Sequence, residues 1–595
     1  MGPPTRRQLA LDGCWLIACL AASAAWCLSA SARLSATFDE PVYLASGLEA
    51  WRTGSHARLM HMGTMPLPID LATLPPYVWE RWHGVELDPV ADIERILPWA
   101  RAGTLVFWSI LLVYGWLAAR QLAGPWGGRL AAAWLACEPN LLAHASLATT
   151  DIAVSACLLA LVYHFRHGRD RTWFWRVALP ACWFAAAVLA KASGMVFGPL
   201  CLLAIEVERL LRAGALTAPP AGGHSQSAAA RWRLLGSSLW EQLRPFWRDL
   251  KQLLAIGFVL VFVYCGCDWQ PQPSFVEWAH ELPQSPQKTA MVWVAEHLCV
   301  FSNAGEGLVR QIKHNMKGHH GAFLLGHVHP KAVWYYFPLA LSIKLTLALL
   351  AAPLVVLLAR RRALANWALA AAAALLLFSV NCRVQIGIRL VLPLVVLLIV
   401  GLSAALVKAA RTAHPAWRRG LAGAWAAGAI LWAAMSAGSV WPHGLCYVNE
   451  LWGGPANGYL LLSDSNYDWG QGVKELDGWR KSRGLAQLDV WYFGTDPAIG
   501  NPPLRHLPLH VLPLDRPADV LAFVESDYLA VGTTLLYGTT TREAAANQAK
   551  AVEFLRAQQP VARTTTFLIY DLSNRTAGAA GAGHRQAHAP SGSRQ

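Results

Sequence analysis

Charged residues are scarce in this sequence. Asp, Glu, Lys and Arg make up only 14% of its 595 residues, while 55% are hydrophobic. A typical soluble protein carries roughly 25% charged residues, so this shortage excludes a soluble enzyme and a disordered protein. Regular cysteine spacing is also lacking among the 12 Cys, which excludes a disulfide scaffold and a zinc module. We therefore predict a membrane protein.

The few charges are unevenly divided between the two signs. There are 50 Lys and Arg against 36 Asp and Glu, which gives a net charge of +14. In a membrane protein, a basic excess is typical of cytoplasmic loops and of contact with anionic lipid. We therefore attribute the excess of positive charge to cytoplasmic loops and to contact with membrane lipids. No nucleic-acid partner is expected.

Long apolar runs are abundant. A helix that crosses a bilayer needs about 20 mainly apolar residues. The first run begins after Arg6 and Arg7 and resembles a signal peptide, but we favour an uncleaved anchor because the residues after it look functional. Eleven runs are candidate spans: 12–32, 102–119, 130–143, 151–165, 173–190, 193–208, 252–268, 332–358, 363–380, 389–407 and 420–440.

The basic clusters predict the orientation of these spans. With the N-terminus in the cytoplasm, every basic cluster falls on the cytoplasmic side, as the positive-inside rule requires. We expect a multi-pass protein of the plasma (inner) membrane whose C-terminal domain is extracytoplasmic. The predicted parts are a helical membrane domain over 1–440, its outside loops 33–100 and 269–331, its inside linker 213–250, a small domain over 441–574 and a disordered tail over 575–595.

The small domain differs in kind from the rest of the chain. Short β-like runs lie at 488–494, 527–533 and 565–571, and helical patterns lie near 472–482 and 542–557. This alternation predicts an α/β domain outside the membrane. Its segment DSNYDWGQG, from Asp464, is interpreted either as a ligand-binding turn or, as we favour, as a rigid turn held by its own side chains.

Acidic residues near the predicted outer boundary are the first candidates for chemistry, because burying charge in a membrane is costly. Asp39 and Glu40 directly follow the first span, while Glu138, His144 and Asp151 surround a short turn between later spans. Such carboxylates could act as a general base or hold a divalent cation. The alternative is that they only cap the helices that follow them.

Basic residues at predicted outer span ends form a second group of candidates, namely Lys191, Lys344 and Arg389. Each alone could be an interface anchor. Together they could bind a lipid-linked phosphate, because Arg matches phosphate with a bidentate fork and Lys acts as a point charge.

The outside loop 296–331 is rich in histidine, and its His319 is kept as a further candidate site residue. The spacing of these histidines fits no standard zinc pattern, so structural zinc is not predicted there.

These residues, in this order, resemble those of the GT-C membrane glycosyltransferases of the protein O-mannosyltransferase and aminoarabinose-transferase kind. Asp39-Glu40 is similar to the acidic pair after the family's first span, and Asp151 to its second acidic residue. Lys191 in LAKASG and Arg389 in GIRLVLP are similar to its lysine and to its late arginine. The family's His-Pro-Pro of the first outside loop is replaced here by Met-Pro-Leu-Pro at 65–68.

A bacterial subgroup of that family is more similar still. The segment from Gly318-His319 to Lys344 contains its HxxFLLG and WYYFPLALSIK patterns. Residues 449–476 contain NELWGGPANGYLLLSDSNYDWGQGVKEL, and WYFGT follows at 491–495.

The resemblance implies a GT-C-like fold with about 11 transmembrane helices and a hexosyl- or pentosyltransferase, mannosyltransferase-like, that uses a polyprenyl-phosphate-linked sugar. It implies Asp39 as general base with Glu40 beside it, and Lys191, Arg389 and Lys344 at the donor phosphate. A divalent metal ion held by Asp39 and Asp151 would neutralise the leaving group, and the acceptor is a lipid, a glycan or a protein.

Three alternatives stay open. The first is a transferase of another lipid-linked group. The second is a transporter or flippase, although paired halves with broken helices at the midplane are not evident in the sequence. The third is that the C-terminal domain is the functional part and the membrane part only anchors it.

Overall fold

The computed structural model describes residues 6–213, 228–300, 302–318, 321–538 and 545–573. The chain is a mostly helical membrane protein with a small sheet near its C-terminus, which confirms the predicted class. The predicted disordered tail 575–595 and most of the predicted linker up to residue 227 lie outside the described residues.

Nineteen described helices precede the C-terminal domain, and a π-helical turn, Phe174–Ala178, leads into the ninth of them. A two-stranded antiparallel hairpin of β1 (Ala322–Leu324) and β2 (His327–His329) lies before α15. The helices are α1 Arg6–Arg33, α2 Glu40–Thr53, α3 Ala57–His61, α4 Leu67–His83, α5 Ile93–Ala123, α6 Pro125–Cys137, α7 Pro139–Ala145, α8 Asp151–Gly168, α9 Leu179–Ala190, α10 Gly194–Arg212, α11 Ala228–Cys265, α12 Pro273–Glu281, α13 Pro286–His297, α14 Ser302–Lys317, α15 Tyr336–Lys344, α16 Leu347–Arg360, α17 Trp367–Ser379, α18 Leu392–Thr412 and α19 Ala416–Ser439.

Helix α18 forms the centre of the membrane domain. Its sequence is apolar on every side, which is typical of a helix with no solvent-facing surface. Most of its side chains are buried, and it packs against α5, α6, α8, α16, α17 and α19. Arg389, in the short 3-10 turn that leads into α18, is therefore fixed at one end of the most enclosed helix.

Each predicted span corresponds to a helix or to a broken pair of helices. Pro139 separates α6 from α7 within the predicted span 130–143. The predicted span 332–358 contains two helices, α15 and the helix from Leu347, which meet at 103°. Eleven spans remains a prediction, because only four described helices are long and apolar enough to cross a membrane unaided, or five if the bent pair is one span.

Helix α11 changes the interpretation of the predicted linker 213–250. Residues 228–251 are continuous with the span that follows, so α11 runs for 38 residues. The part of the linker that the structure describes is therefore helical, and the amphipathic stretch and the apolar span form one element.

The C-terminal domain holds a five-stranded sheet in the order β4-β3-β5-β7-β6. Strand β3 pairs in parallel with β4 and β5, whereas β7 is antiparallel to β5 and β6. Strand β3 is buried over its whole length, as expected where helices cover both faces of a sheet. The elements are α20 Val473–Ser482, β3 Leu488–Trp491, β4 Leu504–His506, α21 Val520–Phe523, β5 Tyr528–Gly532, α22 Thr533–Tyr537, α23 Ala545–Arg556, β6 Ala562–Arg563 and β7 Phe567–Asp571.

The carboxyl ends of β3 and β5 face the membrane domain. Phe493, just after β3, stacks on Phe38 at 5.3 Å between ring centroids. Thr533 and Thr534, just after β5, donate to the carboxylate of Asp468 at 3.2 and 3.1 Å. In α/β folds this edge of the sheet is where ligands bind, and here it supports the segment 464–471.

Candidate active site

An ion pair joins the turn after α1 to the start of α18. Asp39 Oδ2 accepts a hydrogen bond from Arg389 Nη1 at 2.8 Å. The Tyr43 hydroxyl, one turn along α2, donates to the same oxygen at 3.4 Å. The Asp39 side chain is 21% exposed, so this carboxylate is paired and still reachable. The sequence suggested Asp39 and Arg389 as separate candidates, and the fold brings them together.

A second ion pair lies beside the first. Lys191 Nζ donates to Asp151 Oδ1 at 2.5 Å, where Asp151 opens α8 and Lys191 ends α9 in an extended conformation. Asp151 Oδ2 is buried, and no donor reaches it within the described parts of the chain. The charge of Arg389 also acts on Asp151. Two carboxylates and two cations therefore share one site.

Aromatic residues enclose this group of charges. The guanidinium of Arg389 lies over the Trp469 ring, 4.1 Å from its centroid, which adds a cation–π attraction. The buried His144 ring meets the edge of Trp469 at 6.4 Å. Tyr43 and Trp469 were not predicted as site residues. Trp469 lies in the DSNYDWGQG motif, which the sequence indicated only as a turn. Its packing against Arg389 was therefore not predicted.

Asp464 brings a third carboxylate from the C-terminal domain. Its φ of +56° is unusual for a residue other than glycine, and its Oδ1 accepts from Ser465 N at 2.5 Å. Burial raises the pKa of Asp464 to about 6, Arg389 opposes that rise and Asp39 adds to it. The motif is thus a rigid turn that also faces the charged group.

The segment from Asp464 is held against the membrane domain by hydrogen bonds. Asn466 Oδ1 accepts from Ile388 N at 3.0 Å, and Ser465 Oγ donates to Ile386 O at 2.7 Å. These contacts lie directly before Arg389. The position of Arg389 therefore depends on the C-terminal domain.

Lys344, a predicted phosphate ligand, is buried and already saturated. Its Nζ donates to the carbonyl oxygens of Leu445, Tyr447 and Asn466 at 2.7, 2.6 and 2.8 Å. An ammonium has three donors, so this geometry leaves none for a phosphate. The arrangement joins α15 to the C-terminal domain instead.

Glu40, predicted beside Asp39 in catalysis, is also fully paired. It accepts from Arg101 through both oxygens, at 2.8 and 2.7 Å, and from the Ala148 and Thr37 amides. Arg101 donates further to the carbonyl oxygens of Ser31, Leu34 and Ser35. This network fixes the turn that carries Asp39. Arg101 was missed, although an arginine in an apolar helix is itself a signal.

The remaining candidates lie at the edge of the site or away from it. Glu138 caps α7 by accepting from Leu141 N at 2.7 Å, and Asn140 donates to its other oxygen. His56, a histidine that precedes the Met-Pro-Leu-Pro segment at 65–68, pairs with Asp70 at 3.0 Å. His319 lies outside the described residues.

A divalent ion at Asp39 and Asp151 would have to displace Arg389 and Lys191. A hard cation such as Ca²⁺ takes six or more oxygen ligands. Within the described ranges, no three His, Cys, Asp or Glu side chains are grouped as metal ligands. As they are paired here, Asp39 and Asp151 form no ready-made ligand set, so a divalent ion at these residues stays a prediction and no step below depends on one.

The raised pKa of Asp464 predicts a specific dependence of stability on pH. The native state holds this proton more tightly than the unfolded chain, whose value is near 3.8. The contribution of Asp464 to stability is therefore present below pH 4 and is lost as the pH rises through 6, by about 3 kcal/mol. Asp464→Asn removes this term. In thermal unfolding of detergent-solubilised protein, the melting temperature of the variant should rise relative to that of the wild type between pH 4.5 and 7.

Asp515→Asn, an exposed position in the same domain, is the control and should show no such trend. A difference between Asp464→Asn and wild type that stays constant over this pH range would contradict the assignment.

Comparison with known proteins gives structural likeness only. The chain matches no protein-family model and no curated protein. It is similar to the structure of ArnT from Cupriavidus metallidurans bound to undecaprenyl phosphate, with a TM-score of 0.44, 13% identity, and coverage of 96% of this chain and 99% of that one. It is also similar to the archaeal oligosaccharyltransferase AglB from Archaeoglobus fulgidus, in complex with an inhibitory peptide and a dolichol-phosphate. There the TM-score is 0.41, the identity 11%, and the coverage 94% of this chain and 74% of that one. At these values the likeness concerns the course of the chain alone.

Proposed function

We propose that this protein is a membrane glycosyltransferase that moves a sugar from a polyprenyl-phosphate-linked donor to an acceptor on the extracytoplasmic face. The observation that carries the proposal is the Asp39–Arg389 pair, a reachable carboxylate and a cation at 2.8 Å beside a second such pair. The transferred group is a hexosyl or pentosyl unit, with mannosyl as one candidate.

Donor phosphate and Asp39 compete for the same cation. Arg389 and Lys191 are the two basic side chains of the site, and each now neutralises one carboxylate. Phosphate and carboxylate both form charge-assisted hydrogen bonds with a guanidinium, so a donor phosphate can take over the contact that Asp39 makes with Arg389. When the donor phosphate takes Arg389, Asp39 loses part of its counter-charge and becomes a better base.

The transfer step follows from this exchange. The acceptor hydroxyl gives its proton to Asp39, and its oxygen forms a bond to the anomeric carbon of the sugar. The bond from that carbon to the phosphate oxygen breaks, and the electron pair leaves with the polyprenyl phosphate. Arg389 and Lys191 stabilise the negative charge on the leaving phosphate. A single attack from the opposite side inverts the anomeric configuration.

Glu40 and Lys344 act in this proposal as positioning residues. The hydrogen bonds of Glu40 hold the turn at Asp39, and Lys344 holds the segment that contains Asp464 through the carbonyl oxygen of Asn466. Neither has a donor or acceptor to spare for the substrate.

Binding of the lipid carrier tests the phosphate site without any knowledge of the sugar. Undecaprenyl phosphate should bind the purified protein more tightly than the neutral alcohol undecaprenol. Arg389→Gln should weaken phosphate binding by roughly ten- to a hundredfold, the usual worth of a hydrogen bond to a charged group. Lys191→Gln should also weaken it.

Lys474→Gln is the matched control, since Lys474 of α20 pairs with Glu94 at the start of α5 and belongs to neither of the two ion pairs. Equal affinity for undecaprenol and undecaprenyl phosphate, or an equal loss in Lys474→Gln, would contradict the phosphate site.

A further inference from the structure

A cavity lies at the ends of the membrane helices opposite the candidate active site. Asp39 follows the end of α1 and Arg389 precedes α18, whereas this cavity is lined by Trp15 near the start of α1 and by Arg411 at the end of α18. Helices α6 and α19 complete its walls. Its volume is 440 Å³, within the range of about 300 to 1,000 Å³ that is usual for ligand pockets.

Small side chains on α19 create the space. Gly423, Ala426 and Ala427 face the cavity opposite Leu130 and Val407. A Cβ placed on Gly423 would meet a single neighbour, Ala410 Cβ at 3.9 Å. Small residues usually allow two membrane helices to touch, but here they leave an apolar cavity. An unfilled cavity loses dispersion contacts on its lining, so an acyl chain is a suitable occupant.

The mouth of the cavity carries an excess of positive charge. Arg129 Nε donates to Asp12 Oδ1 at 2.7 Å, and Arg120 Nη1 donates to Asp12 Oδ2 at 2.6 Å. The single carboxylate of Asp12 therefore pairs with two guanidinium groups, which leaves one positive charge in excess. Arg411 bonds only the carbonyl oxygen of Ala123, at 3.1 Å, and forms no ion pair within the described residues.

Two tryptophans place this mouth at the level of the lipid headgroups. Trp126 is 61% exposed and lies under the guanidinium of Arg129. Trp15 is 43% exposed and donates to the carbonyl oxygen of Arg129 at 3.0 Å. Tryptophan is enriched at the boundary between hydrocarbon and water, so the apolar part of the cavity opens towards the acyl chains.

We infer that this cavity is a binding site for one anionic phospholipid. An acyl chain fills the space beside Gly423, and the headgroup phosphate meets Arg129 and Arg411. The basic residues predict that this end faces the cytoplasm, where anionic lipids are concentrated. The inference is independent of the reaction catalysed at the other end of α18.

Native mass spectrometry of the full chain in neutral detergent tests the site, with phosphatidylglycerol and phosphatidylcholine as probes. One phosphatidylglycerol should be retained in preference to phosphatidylcholine. Gly423→Leu places a side chain in the cavity and should abolish that preference. Arg411→Gln should lower the phosphatidylglycerol affinity by about fivefold, since one basic side chain near an anionic surface contributes on that scale.

Two matched variants control for general effects. Gly428→Leu adds the same side chain to α19 where no atom lies within 4 Å of the new Cβ. Arg171→Gln removes a basic residue that stacks on Trp175 away from the cavity. Both should retain phosphatidylglycerol as the wild type does. Equal retention of both lipids, or an equal effect of Gly428→Leu, would overturn the site. Displacement of phosphatidylglycerol by undecaprenyl phosphate, blocked by Gly423→Leu, would reassign it to a carrier lipid.

Discussion

Asp39→Asn is expected to abolish sugar transfer while leaving the lipid-carrier site intact. An amide at this position still accepts the hydrogen bond from Arg389 Nη1, so the turn and the guanidinium keep their places. It cannot accept the proton of the acceptor hydroxyl. Loss of a general base costs about two to four orders of magnitude in rate. Initial rates with purified protein measure the loss. Undecaprenyl phosphate should bind at least as tightly as it binds the wild type, because the carboxylate that competes for Arg389 is gone.

Asp527→Asn provides the comparison for this variant, because Asp527 is an exposed carboxylate on the C-terminal domain. It should transfer sugar at the wild-type rate. Near-normal transfer by Asp39→Asn would remove Asp39 as the base, and Asp464 would then be the next carboxylate to test.

Arg101→Met should cause the largest loss of stability among single substitutions in the membrane domain. Arg101 and Glu40 are 1% and 0% exposed and form a two-bond ion pair. Burial would raise the pKa of Glu40, but Arg101 and backbone donors hold it below its ordinary value, so the carboxylate is charged. Removing one partner of a buried pair costs about 3–5 kcal/mol. The melting temperature in detergent should fall accordingly.

Arg95→Met separates this effect from a general sensitivity of α5. Arg95 lies on the same helix, is exposed and stacks on Trp79, so its loss should change the melting temperature little. Combining Arg101→Met with Glu40→Gln should restore part of the lost stability, because the unpaired charge is then gone. A double variant less stable than Arg101→Met would contradict a buried ion pair.

The sequence predicts the helical class and most elements of the C-terminal sheet. Strands β3, β5 and β7 fall within the three predicted β-like runs, because buried strands in a small domain are short apolar runs between turns. Hydropathy also locates the helices of the predicted spans, whereas α4 and α14, in the predicted outside loops, are too polar for it to find. It does not show that α15 and α16 meet at 103°, since both sides of the bend are equally apolar.

The sequence does not reveal which charged residues of the site form ion pairs with each other. Asp39 and Glu40 are neighbours of the same charge, yet one faces Arg389 in the open site and the other faces Arg101 in the core. Their partners lie 350 and 61 positions away, and no local pattern encodes such contacts. Lys344 shows the same limit, because its three carbonyl partners come from segments about 100 residues further along the chain.

Direct transfer by purified protein tests the central claim. The chain, in detergent or nanodiscs, is incubated with polyprenyl phosphates bearing labelled hexoses or pentoses, and with membranes from cells lacking the protein as the acceptor. Free polyprenyl phosphate and a labelled acceptor should appear together in equal amounts, in an Asp39-dependent manner. Uptake of the labelled donor into vesicles without cleavage of the sugar–phosphate bond would contradict the account and favour a transporter.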